Sequence, residues 1–147
     1  MSDSLVIIPT YNEKDNIERI IRKVFSLELD FHILIVEDNY LNIQTTLNTL
    51  EPYHMKCDVA NDGEEGVLMG TQYKYDIIFM DISLPVYNGI IVNKQIRIRY
   101  PEAIIIALSS FDKREILEKD DTVVFNDFLK KPLEEEELSK CLRRLNM

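Results

Sequence analysis

Short aliphatic or β-branched runs alternate with longer amphipathic stretches along the whole chain, and this alternation narrows the fold more than any other feature. A run such as Ile33–Val36 (ILIV) is apolar at every residue, so a strand built from it has no face fit for water and must be covered on both sides. Helices that cross over between parallel strands supply that cover. Strands are expected at Leu5–Ile8, His32–Val36, Lys56–Ala60, Ile77–Met80, Ile104–Leu108 and Asp127–Leu129. Helices are expected at Asn12–Leu27, Leu41–Tyr53, Gly63–Thr71, Gly89–Tyr100, Lys113–Glu118 and Glu134–Leu145. Ile17, Ile20, Ile21, Val24 and Phe25 fall on one stripe of the first helix. In the last helix, acids at Glu134–Glu137 and bases at Arg143 and Arg144 match the helix dipole.

Bulk properties bound the function. The 147 residues suit one core, and a chain 46% hydrophobic and 29% charged, with 4 Gly and 5 Pro, is of ordinary globular composition. A formal charge of −9 repels nucleic-acid backbones and favours cations and basic partner surfaces. Cys57 and Cys141 lack metal-ligand spacing and read as reduced thiols of a cytoplasmic protein. No secretory leader is evident, and no apolar stretch approaches the length of about 20 residues that spans a bilayer. The expectation is a cytoplasmic protein that binds neither nucleic acid nor membrane.

In open parallel sheets, ligands bind beyond the carboxyl ends of the strands. Here those ends carry Glu37 and Asp38, then Asp81, then Ser109 and Ser110, and finally Lys131. Taken singly, each acid reads as a solvated strand end, and the plain alternatives are a surface lysine beside Lys130 for Lys131, a strand cap for Ser109 and a core aromatic for Phe128. Taken together, three converging carboxylates would repel one another unless a hard divalent cation such as Mg²⁺ sat among them.

Ile33–Asn39 (ILIVEDN), Phe79–Gly89 (FMDISLPVYNG), Ile105–Ser110 (IIALSS) and Phe128–Pro132 (FLKKP) resemble, in order and spacing, the four signature blocks of response-regulator receiver domains. The resemblance covers about residues 31 to 147 and implies an α/β, flavodoxin-like (βα)₅ fold with strand order 2-1-3-4-5. It implies that Asp81 is the phosphoacceptor, that Asp38 and Asp81 bind Mg²⁺ (or Mn²⁺) directly, that Glu37 holds it through water, and that the Ser83 backbone carbonyl is a further ligand. Lys131 and the Ser109 hydroxyl are implied to contact the phosphoryl group, Ser109 and Phe128 to form the switch, and Gly89 to let the loop after Asp81 turn into the next helix. Implied partners are a histidine kinase or histidine phosphotransfer protein and a downstream protein target. The implied activity is self-catalysed phosphotransfer and autodephosphorylation, not turnover of a separate substrate. Glu37 stands where Asp is more usual, and Ser109 where Thr is commoner. The Glu37-Asp38-Asn39 run and Asn42 also look similar to receivers of hybrid histidine kinases.

Residues 1–30 precede the first receiver strand. Ser4–Glu13 (SLVIIPTYNE) resembles the opening of family-2 glycosyltransferases of the dolichol-phosphate mannose synthase type, which runs on into a strand like His32–Asn39. The chain thus reads as a β–α extension over residues 1–30 joined to a receiver over 31–147, a natural fusion or an engineered chimera. Those enzymes need a later Asp-x-Asp, and the block here is Asp81-Ile82-Ser83. The different-class alternative is a glycosyltransferase-derived or engineered scaffold without a signalling role. The extra strand is expected to add at a sheet edge or to form a homodimer contact.

Overall fold

A computed structural model describes residues 31–110 and 113–145, all within one compact unit that starts at Phe31. The strand expected at Leu5–Ile8, the helix at Asn12–Leu27 and any dimer contact through that strand lie outside the described residues.

Five parallel strands form one sheet: β1 (His32–Val36), β2 (Lys56–Ala60), β3 (Ile77–Asp81), β4 (Ile105–Ser109) and β5 (Asp127–Lys130), in spatial order β2-β1-β3-β4-β5. The helices between and after them are α1 (Tyr40–Leu50), α2 (Gly63–Gln72), α3 (Gly89–Arg99), α4 (Lys113–Lys119) and α5 (Glu135–Arg144). This is the flavodoxin-like order expected from the sequence. Ile33 pairs with Cys57 on one side and Ile77 on the other, so β1 has neighbours along both edges.

Side chains alternate across the sheet and fill two cores. Ile33, Ile35, Ile77, Phe79, Ile106, Leu108 and Leu129 pack with Leu50 of α1 and Leu138, Cys141 and Leu142 of α5. Leu34, Val36, Ala60, Ile78, Met80 and Ile105 face the other way, onto Val92 and Ile96 of α3. The near-continuous apolar strands therefore serve both layers at once, which is why they show no polar alternation. Cys57 and Cys141 are free thiols, the second fully buried. Among the described residues no helix is long and apolar enough to cross a membrane.

The structure corrects several boundaries. The helix expected over Leu41–Tyr53 stops at Leu50 and continues as a 3₁₀ turn, Glu51–Tyr53. Pro52 has no N–H for an α-helical bond and its ring crowds the preceding turn, and His54 then ends the turn at φ 54°. Asp81 and Ser109 are the last residues of their strands rather than the first of the loops. Glu134 is the N-cap of α5, outside the helix, while Glu135, Glu136 and Glu137 occupy its first turn and Arg143 and Arg144 its last.

The role expected of Gly89 also changes. No glycine has positive φ; what Gly89 provides is close approach, because a Cβ there would lie 2.3 Å from the Asp81 carbonyl oxygen. The left-handed residue of that loop is instead Val86, at φ 63° with 94% of its surface exposed. A β-branched side chain is strained there and gains no burial in return. The loop is held at both flanks, by buried Leu84 on one and by the Gly89 amide donating to the Ile82 carbonyl (3.1 Å) on the other. Val86→Gly is expected to raise stability by about 1 kcal/mol, seen in thermal denaturation as a Tm roughly 3–6 °C higher; an unchanged or lower Tm contradicts strain at this position.

Candidate functional site

Each functional side chain is delivered by the end of a strand. The Glu37 amide donates to the Ala60 carbonyl (3.0 Å), prolonging the β1–β2 pairing by one residue and turning the Glu37 side chain inward, where it is 1% exposed. Asp38 follows, exposed, at the start of the loop. Asn39 then closes this corner: its Oδ1 accepts from the Asn42 amide (3.0 Å) as the N-cap of α1, and its own amide donates to Glu37 Oε2 (3.2 Å). β3 ends on buried Asp81, whose Oδ1 accepts from the Ser83 amide at 3.0 Å. β4 ends on buried Ser109, and the Ser109 carbonyl accepts from the Lys131 amide at 3.0 Å, which fixes where the lysine leaves β5. The Lys131–Pro132 peptide bond is cis.

Lys131 Nζ then reaches back between two carboxylates, 2.8 Å from Glu37 Oε1 and 2.9 Å from Asp81 Oδ1. Carboxylate oxygens of Glu37, Asp38 and Asp81 lie within 4.8 Å of one another. Three acids and one base in so small a space leave an excess of negative charge. Burial above all pushes the Glu37 carboxyl up to about 7, Lys131 opposing the shift and Asp81 adding to it. Burial works against the Lys131 charge too, but Glu37 and Asp81 outweigh it and hold the ammonium above its ordinary value.

These residues fit a hard divalent cation. Glu37 Oε1 is buried and lacks a hydrogen-bond partner; Lys131 stands at ion-pair distance from it but off the direction of a hydrogen bond. An orphaned buried oxygen beside two further carboxylates is an acceptor set suited to a cation that binds oxygen and keeps its waters.

Phe128 and Ser109 share a face of the sheet. Phe128 is in register with Ala107, two residues before Ser109, and Lys130 with Ser109 itself. The half-buried Phe128 ring packs edge-on to Phe125, centroids 5.5 Å apart, and Lys113 Nζ lies 5.5 Å from its centre. A groove of about 290 Å³ runs beside it, lined by Lys113 and Ile116 of α4 and by Phe125 to Lys130.

Of the residues singled out from the sequence, Glu37, Asp38, Asp81 and Lys131 lie together, the Ser83 amide reaches Asp81, Ser109 stands at the end of β4 with its carbonyl on the Lys131 amide, and Phe128 stands one step away on the Ser109 side. Sequence reasoning missed Asn39 as a cap, although an Asn directly before a helical stretch is the signal for one. It also missed Val86, since nothing in the residue type announces a left-handed backbone.

A family model described as the response regulator receiver domain matches residues 33–143, and one described as glycosyl transferase family 2 matches residues 5–59. Two-component response regulator 24 of Arabidopsis thaliana is 31% identical over 118 residues, covering 77% of this chain and 82% of that protein. Protein RcaC of Microchaete diplosiphon is 32% identical over 113 residues, covering 77% of this chain but 17% of RcaC. Transcription factor SKN7 of Saccharomyces cerevisiae is 30% identical over 119 residues, covering 81% of this chain but 19% of SKN7. The chain thus spans under a fifth of the length of these last two relatives. Among solved structures, the receiver domain of sensor histidine kinase PA1611 from Pseudomonas aeruginosa, with a magnesium ion in its active-site cleft, superposes with TM-score 0.71 at 31% identity, covering 78% of this chain and 96% of that one. Chemotaxis protein CheY4 of Vibrio cholerae superposes with TM-score 0.71 at 26% identity, covering 78% and 98%. From the order of its strands, the acids and lysine at their ends and the match over residues 33–143, this chain belongs to the response regulator receiver domain family.

Proposed function

We propose that the described domain is the phosphoacceptor of a two-component or phosphorelay system and that Asp81 takes the phosphoryl group from a phosphohistidine on a histidine kinase or histidine phosphotransfer protein. The observation that carries this reading is the state of Asp81: a buried carboxylate with Oδ1 held by both the Ser83 amide and Lys131, beside two further acids. Both contacts fall on Oδ1, which assigns the attack to Oδ2. Oδ2 forms a bond to phosphorus in line with the P–N bond, which breaks, and the imidazole leaves with the bonding electron pair.

Mg²⁺, or Mn²⁺ in its place, would be held by Asp38, Asp81 and the Ser83 carbonyl directly and by Glu37 through water; when bound it offsets the charge of the acids and of the transferring phosphoryl oxygens. Lys131 is placed to pair with one phosphoryl oxygen and the Ser109 hydroxyl with another. The added dianion draws Ser109 inward, and Phe128, on the same face of the sheet, is free to follow through the groove beside α4. The output is a protein contact on the side formed by α4, β5 and α5. A formal charge of −9 supports protein partners over nucleic acid, and the compartment we assign is the cytoplasm.

Residues 1–30 are read as an extension outside the receiver, able to form a homodimer contact through Leu5–Ile8. The family 2 glycosyltransferase match favours a glycosyltransferase-like origin for them, but its second half falls on β1, α1 and β2, which here belong to the receiver domain. With Ser83 in place of the second acid of an Asp-x-Asp, sugar transfer has no support.

Intact mass spectrometry after incubation with acetyl phosphate is expected to show one added phosphoryl group, about 80 Da, in the presence of Mg²⁺, none without it, and none in Asp81→Asn. A metal-independent adduct, or one that survives in Asp81→Asn, contradicts the assignment. Asp38→Asn removes an exposed direct ligand without opening the core, so calorimetric titration should show Mg²⁺ affinity lowered by more than about tenfold, the loss that even an outer partner of a ligand causes, with an unchanged circular dichroism spectrum. Equal affinity in that variant rules Asp38 out as a ligand.

A further inference from the structure

Arg97 sits in the last turn of α3, where a base complements the helix dipole, but its hydrogen bonds reach well beyond its own helix. Nε donates to Asn93 Oδ1 and to the Val124 carbonyl, both at 3.1 Å. One terminal nitrogen donates to the carbonyls of Pro101 (3.2 Å) and Ala103 (2.8 Å), and the other to Asn126 Oδ1 (2.8 Å). A single planar fork thus joins α3 to the turn that enters β4 and to the segment that enters β5.

Its two asparagine partners complete the clamp. Asn93 is fully buried, and while its Oδ1 accepts from Arg97 its Nδ2 donates to the Val124 carbonyl at 2.8 Å. Asn126 Oδ1 accepts from the Ile105 amide as well as from Arg97, and the Asn126 amide donates to the Ile105 carbonyl, each of the Ile105 bonds at 2.8 Å. Val124 is therefore fastened to α3, through Asn93 and Arg97, and Asn126 to both α3 and β4, through Arg97 and Ile105. Phe125, inside this segment, packs edge-on to Phe128. On the α4 side Phe128 is held by apolar packing, against the cluster that includes Ala107 and Ile116, with Lys113 Nζ 5.5 Å from its centre and a groove of about 290 Å³ beside it.

This asymmetry has a mechanical consequence. A displacement that starts at Ser109 meets a wall of directed hydrogen bonds on the α3 side and non-directional apolar packing beside a groove on the α4 side, so it is expected to move the ring and α4 before it moves the strand. We propose that Arg97 is a positioning residue of the switch: it pins the start of β5, so that phosphorylation of Asp81 is expressed as movement of Phe128 and α4 and not as a shift of β5. The inference rests on the reading of Phe128 as the switch aromatic. Lysine cannot replace the fork, because a single ammonium has neither the reach nor the plane to satisfy these acceptors together.

The test is nuclear magnetic resonance of the full chain with Mg²⁺, before and after acetyl phosphate, following the Phe128 ring signals and the Asn126 amide, alongside thermal denaturation. In the wild type the Phe128 signals should shift while the Asn126 amide stays. In Arg97→Lys the Asn126 amide should shift as well, by an amount comparable to that at Phe128. Asn126→Ala should reproduce this pattern, carrying the test if Arg97→Lys does not fold, and Asn126→Asp, which keeps the acceptor, should restore the wild-type pattern. A variant that loses Tm yet keeps a stationary Asn126 amide shows a structural role only and overturns the inference. A phosphorylated wild type whose Phe128 signals do not move refutes the switch reading itself, and this inference with it.

Discussion

Two buried carboxylates, Glu37 and Asp81, share one ammonium, Lys131, at 2.8 and 2.9 Å. Removing three charged groups from water costs several kcal/mol for each ion, and the mutual attraction offsets that only if the groups are held at contact. The surrounding arrangement does this. Glu37 is turned in by one extra residue of β1–β2 pairing, Asp81 is fixed by the Ser83 amide, and Lys131 is set by the Ser109 carbonyl. The balance remains incomplete, since Asp38 adds a third carboxylate and Glu37 Oε1 still lacks a directed partner. That residual negative charge is what makes the pocket receptive to a divalent cation and, with the cation, to a phosphoryl group. In a neutral, fully satisfied cluster the same acids would be only structural.

The parallel sheet makes the convergence possible. All five strands point the same way, so residues far apart in sequence finish side by side, and β1 and β3, which bear the acids, are direct neighbours. Both faces must then be covered by helices, which pack on the apolar side chains of the strands. A groove between α4 and β5 lies on the Ser109 face of the sheet.

Much of this was legible in the residues. Strands with uninterrupted apolar runs could only be doubly covered, which pointed to a parallel sheet with its polar residues at the strand ends, while the order 2-1-3-4-5 was implied by the resemblance to receiver domains. Features that depend on exact backbone path were not legible. Pro52 cut short a helix whose apolar periodicity continued past it, and Val86 took a left-handed conformation because the flanks of its loop dictate it, against its own preference. Arg97 was not singled out, because its partners at residues 101–126 are set by tertiary folding, not by spacing along α3. Gly89 was singled out for the turn from the loop into the next helix, and what it supplies there is the absence of a side chain against the Asp81 carbonyl.

The central claim is that Glu37, Asp38, Asp81 and Lys131 act as one cation-binding unit at the strand ends. The most direct measurement is a Mg²⁺ titration followed by backbone amide chemical shifts across the whole chain. The account predicts saturable shifts confined to residues 37–39, 81–83, 109 and 131, with the acidic first turn of α5 at Glu135–Glu137 unmoved. Shifts that fail to saturate and spread over the acidic surface, α5 included, would contradict it.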